Sequence, residues 1–316
     1  MATGGGLLKT LGPYENLDIF DAQNLQMNES YRASCNAVID RLVKFLQNNV
    51  PIKVKEVVKG GSLGKGTAVR DKSDIDLVLF LSDYPTVKSV KADMSELIAT
   101  LKKYLGQYGG CRIVGTTRFS VQVDVSCHAS HTHDVDILPA CDVIGMHGPS
   151  AVYDEMLKFE DLRLNYSASL VKLQLNFVKV LPAKVMSLIR LVKHWRKSEL
   201  PSGSGLGRWP TSYILELIVI RKWEDAGRPE RFDLKRGLHS FLKALVNYCD
   251  LQVVWYQNYG RLYTPHSPPY VIDPANPFNN VMDRCDVWDK VAEYARKALK
   301  WSLFQGLEST DTSRAW

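Results

Sequence analysis

A glycine-rich turn followed closely by two aspartates constrains this chain more than any other feature of its sequence. Residues 60–67 read GGSLGKGT, and an Asp-Ile-Asp sequence follows at residues 74–76, at the start of an apolar strand. Glycine permits a tight turn and a close approach of backbone amides to phosphate oxygens. The turn is not a P-loop, because Lys65 is followed by glycine and Lys59 stands where the first P-loop glycine is required.

The two aspartates indicate a site for metal ions. Side chains in a strand alternate between faces, so Asp74 and Asp76 point to the same side. Neighbouring carboxylates repel unless a cation lies between them, although Asp-x-Asp in isolation is typical of a solvent-facing strand edge. Two-metal phosphoryl transfer needs a third carboxylate. Asp124 and Asp136 are both candidates on later strands, Asp134 shares the face of Asp136, and periodicity alone does not choose between them.

Hydrophobic periodicity predicts an α+β chain with a strand-rich first half and a helix-rich second half. A long opening helix is predicted over 21–49 and another helix over 90–105. Strands are predicted near 54–58, 77–81, 121–125 and 135–138. After residue 150 the pattern is helical, near 151–159, 167–180, 184–197, 210–226, 236–249 and 286–302, and only 253–255 resembles a strand.

The charge distribution indicates a polyanionic partner. The net charge is +6, and the stretches 41–72 and 161–200 each hold eight Lys or Arg against two acidic residues. Neutralising phosphates releases counterions, which favours nucleic acid; two solvated helix faces are the alternative. Six cysteines without a C-x-x-C motif indicate reduced thiols. No apolar run has the length of a membrane helix and no signal peptide is recognisable, so a cytoplasmic protein without a membrane partner is expected.

The glycine turn and the two aspartates resemble the signature of the polymerase-beta-like nucleotidyltransferases, and the wider chain resembles the 2′-5′-oligoadenylate synthetases. The resemblance implies a bilobal nucleotidyltransferase fold: a mixed or antiparallel sheet with a long N-terminal helix, and a helical C-terminal lobe. It implies a catalytic core in residues 1–160 and an oligoadenylate-synthetase-like lobe in residues 161–316. The segments that resemble this family are residues 59–82, 135–140, 187–195, 213–217 and 271–277.

The resemblance also assigns the catalytic residues. It implies that Asp74, Asp76 and Asp136 are catalytic and bind two Mg²⁺ ions, with ATP as the substrate, and that Asp124 is structural. Gly61 and the Ser62 hydroxyl are expected to hold phosphate oxygens in the glycine turn.

Three residues of the second half complete the expected nucleotide site. The resemblance implies that Lys193 reaches the triphosphate; the alternative is that Arg190, Lys193 and Lys197 line an exposed helix face. Tyr213 is expected to stack on the base, with a core tyrosine as the alternative. Ser212 is a departure, because oligoadenylate synthetases usually carry glutamine there, and the Ser-Tyr pair is more similar to cyclic GMP-AMP synthase.

Double-stranded RNA activates this family, which makes RNA the expected partner. Lys59, Lys179 and Lys184 fall at matching positions and are expected to contact phosphates. Two positions depart from the family, since Leu175 replaces an expected arginine and Ala183 an expected threonine.

The sequence therefore predicts a double-stranded-RNA-activated nucleotidyltransferase that forms 2′-5′ bonds from ATP in innate immune signalling. An RNA-sensing cyclic dinucleotide synthase is the main alternative; an RNA 3′-end polymerase and a catalytically silent RNA-binding relative are others. Cys127, His128, His131 and His133 form the one metal-like cluster of the sequence and are interpreted as an ordinary polar loop rather than a zinc site.

Overall fold

The chain divides into two compact units. The computed structural model describes residues 7–70, 74–126, 132–201, 207–259, 267–307 and 316, and for Asp74 the backbone alone. The sheet unit comprises Met27–Val180 and Pro274–Asn276, and the helical unit comprises Met1–Gln26, Leu181–Asp273 and Pro277–Trp316. The predicted division of the chain into domains at residues 1–160 and 161–316 stays a prediction.

The elements alternate in the first half of the chain and are mainly helical in the second. The strands are β1 Val54–Lys59, β2 Asp74–Leu81, β3 Cys111–Thr116, β4 Val121–Ser126, β5 Thr132–Ala140, β6 Gln252–Val253, β7 Tyr270–Asp273 and β8 Asn276–Asn280. The helices are α1 Leu17–Phe20, α2 Glu29–Asn49, α3 Gly61–Lys65, α4 Val87–Leu105, α5 Val143–Lys158, α6 Tyr166–Ser169, α7 Val171–Lys179, α8 Ala183–Glu199, α9 Ser212–Asp225, α10 Leu234–Val246, α11 Tyr256–Tyr259 and α12 Trp288–Ala298.

The sheet unit is built on a five-stranded mixed sheet of order β1-β2-β5-β4-β3. Strand β2 is antiparallel to β1 and parallel to β5, and β4 is antiparallel to both β5 and β3. The apolar run of β2 from Leu77 to Leu81 is buried, as a strand covered on both faces requires. Because β2 and β5 run in the same direction, the aspartates at their starts meet at one edge of the sheet.

The helical unit packs around α8 and α9. Both helices are buried over most of their circumference, as their apolar residues on all sides require. Strands β6, β7 and β8 form a small sheet in which β6 and β7 are parallel. None of the helices in the described ranges is long and apolar enough to cross a membrane.

The predicted α+β fold is confirmed, and several elements differ from their predicted bounds. The opening helix begins at Glu29 rather than residue 21, because the Asn28 side chain accepts a hydrogen bond from the Tyr31 amide at 2.7 Å and caps it. Residues 21–25 instead form a π-helical turn. Strands β3, β7 and β8 were not predicted, since their few apolar residues give no regular pattern and neighbouring strands of the sheet fix their conformation.

Candidate active site

Two of the predicted carboxylates lie side by side on one face of the sheet. Strands β2 and β5 are in register, so that Asp76 pairs with Asp136, and the backbone of Asp74 pairs with Asp134. The intervening residues of both strands are buried on the opposite face. Asp76 and Asp136 are half-buried, whereas Asp134 is exposed. Residues sixty apart in the chain are thus brought together by strand pairing.

This donor set has the chemistry of a magnesium site. Paired strands lie about 4.8 Å apart, and carboxylates at that spacing repel unless a cation lies between them. Mg²⁺ prefers oxygen ligands, which Asp76 and Asp136 supply. Among the side chains that the structure describes, which exclude that of Asp74, no group of three His, Cys, Asp or Glu could hold a metal ion. Metal binding by Asp74, Asp76 and Asp136 therefore stays a prediction.

The glycine turn is hydrogen-bonded directly to β2, the strand that carries Asp76. The Gly60 amide donates to the main-chain oxygen of Asp76 at 2.7 Å. Helix α3 starts at the next residue, and a Cβ on Gly64 would overlap the Lys59 carbonyl oxygen. Ser62 is half-buried in the first turn of α3. The tight turn that the sequence predicted at the glycines is present beside Asp76, and the approach of its amides to phosphate stays a prediction.

The two candidates for the third carboxylate have different surroundings. Asp136 lies opposite Asp76, whereas Asp124 lies on β4 opposite Asp134 and forms an ion pair with Arg112. A cavity of about 340 Å³ extends over this face, with Asp124, Asp134 and Asp136 in its lining. The strand register favours Asp136 as the partner of Asp76.

In the helical unit, Lys193 forms a buried ion pair that the sequence did not indicate. Its ammonium lies 3.1 Å from Glu216 of α9, and the two side chains are 7% and 1% exposed. Arg190 is also buried and contacts both oxygens of Asp21 at 2.8 and 2.6 Å. The alternative of an exposed basic helix face is therefore wrong for Arg190 and Lys193. Glu216 nevertheless carried a signal that was not used, since a single acidic residue within the apolar run 214–220 needs a buried partner.

Tyr213 is held by a second acidic residue. Its hydroxyl donates to Asp273 at 3.0 Å, and Asp273 also accepts from the Asn279 side chain at 3.2 Å. Burial, followed by the charge of Asp273, raises the pKa of Tyr213 well above its usual value. The phenol is therefore neutral at physiological pH, and its ring is fixed. Ser212 is half-buried at the start of α9, which Thr211 caps through its side chain.

Models of two known protein families match parts of this sequence. The family model of the C-terminal domain 2 of 2′-5′-oligoadenylate synthetase 1 matches residues 147–316, and the nucleotidyltransferase domain model matches residues 39–107. The chain belongs to the 2′-5′-oligoadenylate synthase family. The 2′-5′-oligoadenylate synthase 1A of Rattus norvegicus is 30% identical over 334 residues, covering 92% of this chain and 91% of that protein.

Other members of the oligoadenylate synthase family are longer. The 2′-5′-oligoadenylate synthase 3 of Rattus norvegicus is 29% identical over 317 residues, and this chain spans 27% of its length. The family and the nucleotidyltransferase class predicted from the sequence are confirmed by these matches.

Solved structures show the same fold. CdnC of E. coli MS115-1, solved with ATP, has a TM-score of 0.58 at 20% identity and covers 94% of this chain and 92% of its own. The mtPAP structure in complex with UTP has a TM-score of 0.59 at 12% identity and covers 96% of this chain and 71% of its own. The predicted nucleotidyltransferase fold of this oligoadenylate synthase family member is confirmed.

The three lysines predicted to contact RNA differ in their surroundings. Lys179 is exposed at the end of α7. Lys59, on β1, lies 2.8 Å from Asp40, and Lys184 of the helical unit contacts Asp18. Leu175, which stands where the family would carry an arginine, is buried and 5% exposed, so it belongs to the core. The RNA-binding roles of the lysines stay predictions.

The histidine and cysteine cluster lies largely outside the described residues. Cys127, His128 and His131 fall there, and their interpretation as a polar loop stays a prediction. His133 is buried, and its Nε2 lies 3.4 Å from the Sγ of Cys35 in α2. The five described cysteines are free thiols, as expected.

Proposed function

We propose that this chain is a double-stranded-RNA-activated nucleotidyltransferase that joins ATP units through 2′-5′ bonds in innate antiviral defence in the cytoplasm. The observation that carries the proposal is the register pairing of Asp76 with Asp136 beside a glycine turn bonded to Asp76. The relatives named 2′-5′-oligoadenylate synthase support the choice of substrate and linkage.

The sheet unit supplies the reacting centre in this proposal. Asp74, Asp76 and Asp136 hold two Mg²⁺ ions. When bound, the ions lower the pKa of the attacking 2′-hydroxyl and neutralise the leaving pyrophosphate. The amides of the turn at Gly61 and the Ser62 hydroxyl hold phosphate oxygens, because a chain turning into a helix presents unpaired amides to anions.

Three residues of the second half of the chain are proposed to supply further nucleotide contacts. The Lys193 ammonium, fixed by Glu216, gives positive charge to the triphosphate. Tyr213, whose ring is held through Asp273, stacks on the base, and Ser212 beside it contacts the nucleotide.

RNA binds through phosphate contacts in this proposal. Lys59, Lys179 and Lys184 are the contacts, and such charge-based binding reads duplex shape rather than base sequence.

One assay tests the product and its dependence on RNA together. The protein is incubated with Mg²⁺ and ATP, or with a mixture of ATP, GTP, CTP and UTP, with and without long duplex RNA. Products are separated by chromatography and digested with a nuclease specific for 3′-5′ bonds. We expect an adenylate ladder that requires RNA and resists the nuclease.

The other outcomes identify the rivals. A ladder formed equally without RNA contradicts RNA activation, and digestion by the nuclease identifies a 3′-end polymerase. A single cyclic species identifies a cyclic dinucleotide synthase, an outcome favoured by Ser212 in front of Tyr213.

A further inference from the structure

Helix α7 packs directly onto the glycine turn of the sheet unit. A Cβ on Gly60 would lie 3.1 Å from Cγ2 of Val171, and a Cβ on Gly64 would lie 3.1 Å from Cδ2 of Leu175. Val171 and Leu175 are one helical turn apart and therefore share a face of α7. Each contacts a different glycine, so the helix covers both ends of the turn.

The same two side chains also pack on the strands that carry the carboxylates. Val171 and Leu175 form a buried cluster with Val78, Phe80 and Ala140. Residues 78 and 80 follow Asp76 on the same face of β2, because they lie two and four positions along the strand. One apolar face of α7 thus contacts both the turn and the continuation of the aspartate-bearing face.

Helix α7 is itself fixed to the sheet unit by Lys172. The Lys172 ammonium lies 2.7 Å from Glu56 of β1 and 3.3 Å from Asp142, next to the start of α5. It also lies 4.7 Å from the centre of the Phe80 ring. These contacts give α7 a defined position from which to hold the turn.

We infer that Val171 and Leu175 are positioning residues, which hold the glycine turn against Asp76 in the geometry that accepts the donor triphosphate. The glycines have no side chains to anchor the turn, and the close approach of Gly64 to Lys59 leaves no space for one. The Gly60 amide transmits any displacement of the turn to Asp76. The inference rests on the proposed function, because it assumes that this turn binds phosphate.

The test compares Leu175→Ala with the matched control Leu173→Ala. Leu173 is a half-buried leucine on the other side of α7, about 160° from Leu175. The readouts are KM and kcat for ATP with duplex RNA, and the Kd of α,β-methylene-ATP measured by calorimetry with Mg²⁺. We expect Leu175→Ala to raise KM and Kd about tenfold, because small displacements of a binding group are costly, and Leu173→Ala to change neither.

Two further variants separate positioning from folding. Leu175→Met retains the side-chain volume and is expected to restore the parental Kd, whereas Leu175→Val removes less volume and serves if Leu175→Ala does not fold. Equal Kd values for the Leu175 and Leu173 variants, at matched unfolding midpoints, would overturn the inference. If the parent binds α,β-methylene-ATP but makes no product from any triphosphate, only the proposed function is contradicted. The Kd comparison then still tests whether Leu175 positions the glycine turn.

Discussion

At the scale of single residues, the helical unit depends on buried charges that are paired across the chain. Lys193 with Glu216 and Arg190 with Asp21 are both almost fully buried. Removing one partner from such a pair leaves an uncompensated charge in a medium that solvates it poorly. If Lys193 reaches the triphosphate as proposed, stability and substrate binding are linked at this residue.

Glu216→Gln is expected to lower the free energy of unfolding by about 3–5 kcal/mol, because the Lys193 charge remains buried without its counter-charge. The control is Asp225→Asn, whose partners Arg221 and Lys222 are half-exposed and whose ion pairs contribute about 1 kcal/mol or less. Urea unfolding followed by tryptophan fluorescence measures both. Equal losses in the two variants would contradict the burial argument.

Local patterns in the sequence predicted some residues of the candidate site and missed others. Asp76 and Ser62 were predicted because the turn and the strand are adjacent in the chain. Glu216, Asp273 and Asp21 were not predicted, because the packing of separate secondary-structure elements sets their partners. The third carboxylate was an intermediate case, since only strand register places Asp136 opposite Asp76.

At the scale of secondary-structure elements, Asp142 connects three elements through its side chain. Its side chain accepts from the Gly145 amide of α5 and pairs with Lys55 of β1 and Lys172 of α7. Burial alone would raise the pKa of Asp142, but the hydrogen bonds from Lys55 and Lys172 outweigh it and the pKa is lowered. The folded state therefore favours the ionised carboxylate.

The lowered pKa of Asp142 predicts that the folded protein loses stability in acid. The contribution of Asp142 is present above about pH 4, the pKa of an unfolded aspartate, and is lost as the pH falls through the lower folded-state pKa. The urea midpoint of the parent should fall more steeply from pH 6 to pH 3 than that of Asp142→Asn. Asp83→Asn, which removes an exposed pair with Lys53, should follow the parent. Parallel curves for the parent and Asp142→Asn would refute this linkage.

Element prediction was accurate where apolar residues recur in a regular pattern and failed where they do not. The bounds of helix α4 and strand β2 are close to the predicted ones, whereas β3, β7 and β8 were not predicted. Helix α2 begins later than predicted because its cap at Asn28, and not the apolar spacing, sets its first turn.

At the scale of the whole molecule, the two units are assembled from segments distant in the chain. Pro274–Asn276 belong to the sheet unit although the residues on both sides belong to the helical unit. The Tyr153 hydroxyl donates to the Ala275 carbonyl at 3.1 Å, a contact that no local pattern indicates. Hydrophobic periodicity predicted a strand-rich half and a helix-rich half but could not predict this return of the chain to the sheet unit.

RNA binding by the whole molecule should depend on salt through its phosphate contacts. Lys179→Ala is expected to reduce the slope of log K against log salt concentration by about one, since one phosphate contact is lost. Lys102→Ala, an exposed lysine of α4, is the control and should leave the slope unchanged. Fluorescence anisotropy with labelled duplex RNA at several salt concentrations measures the slopes. Indistinguishable slopes for the two variants would remove Lys179 from the interface.

The most direct measurement is the rate of AMP incorporation from ATP, with Mg²⁺ and duplex RNA, for the parent, Asp76→Asn and Asp134→Asn. Both substitutions remove one charge from the same sheet face, but Asp76 pairs with Asp136 beside the glycine turn whereas Asp134 is exposed. Asp76→Asn should lose at least about a hundredfold in rate, and Asp134→Asn should retain most of it. A parental rate for Asp76→Asn, in a protein that folds normally, would contradict the central claim.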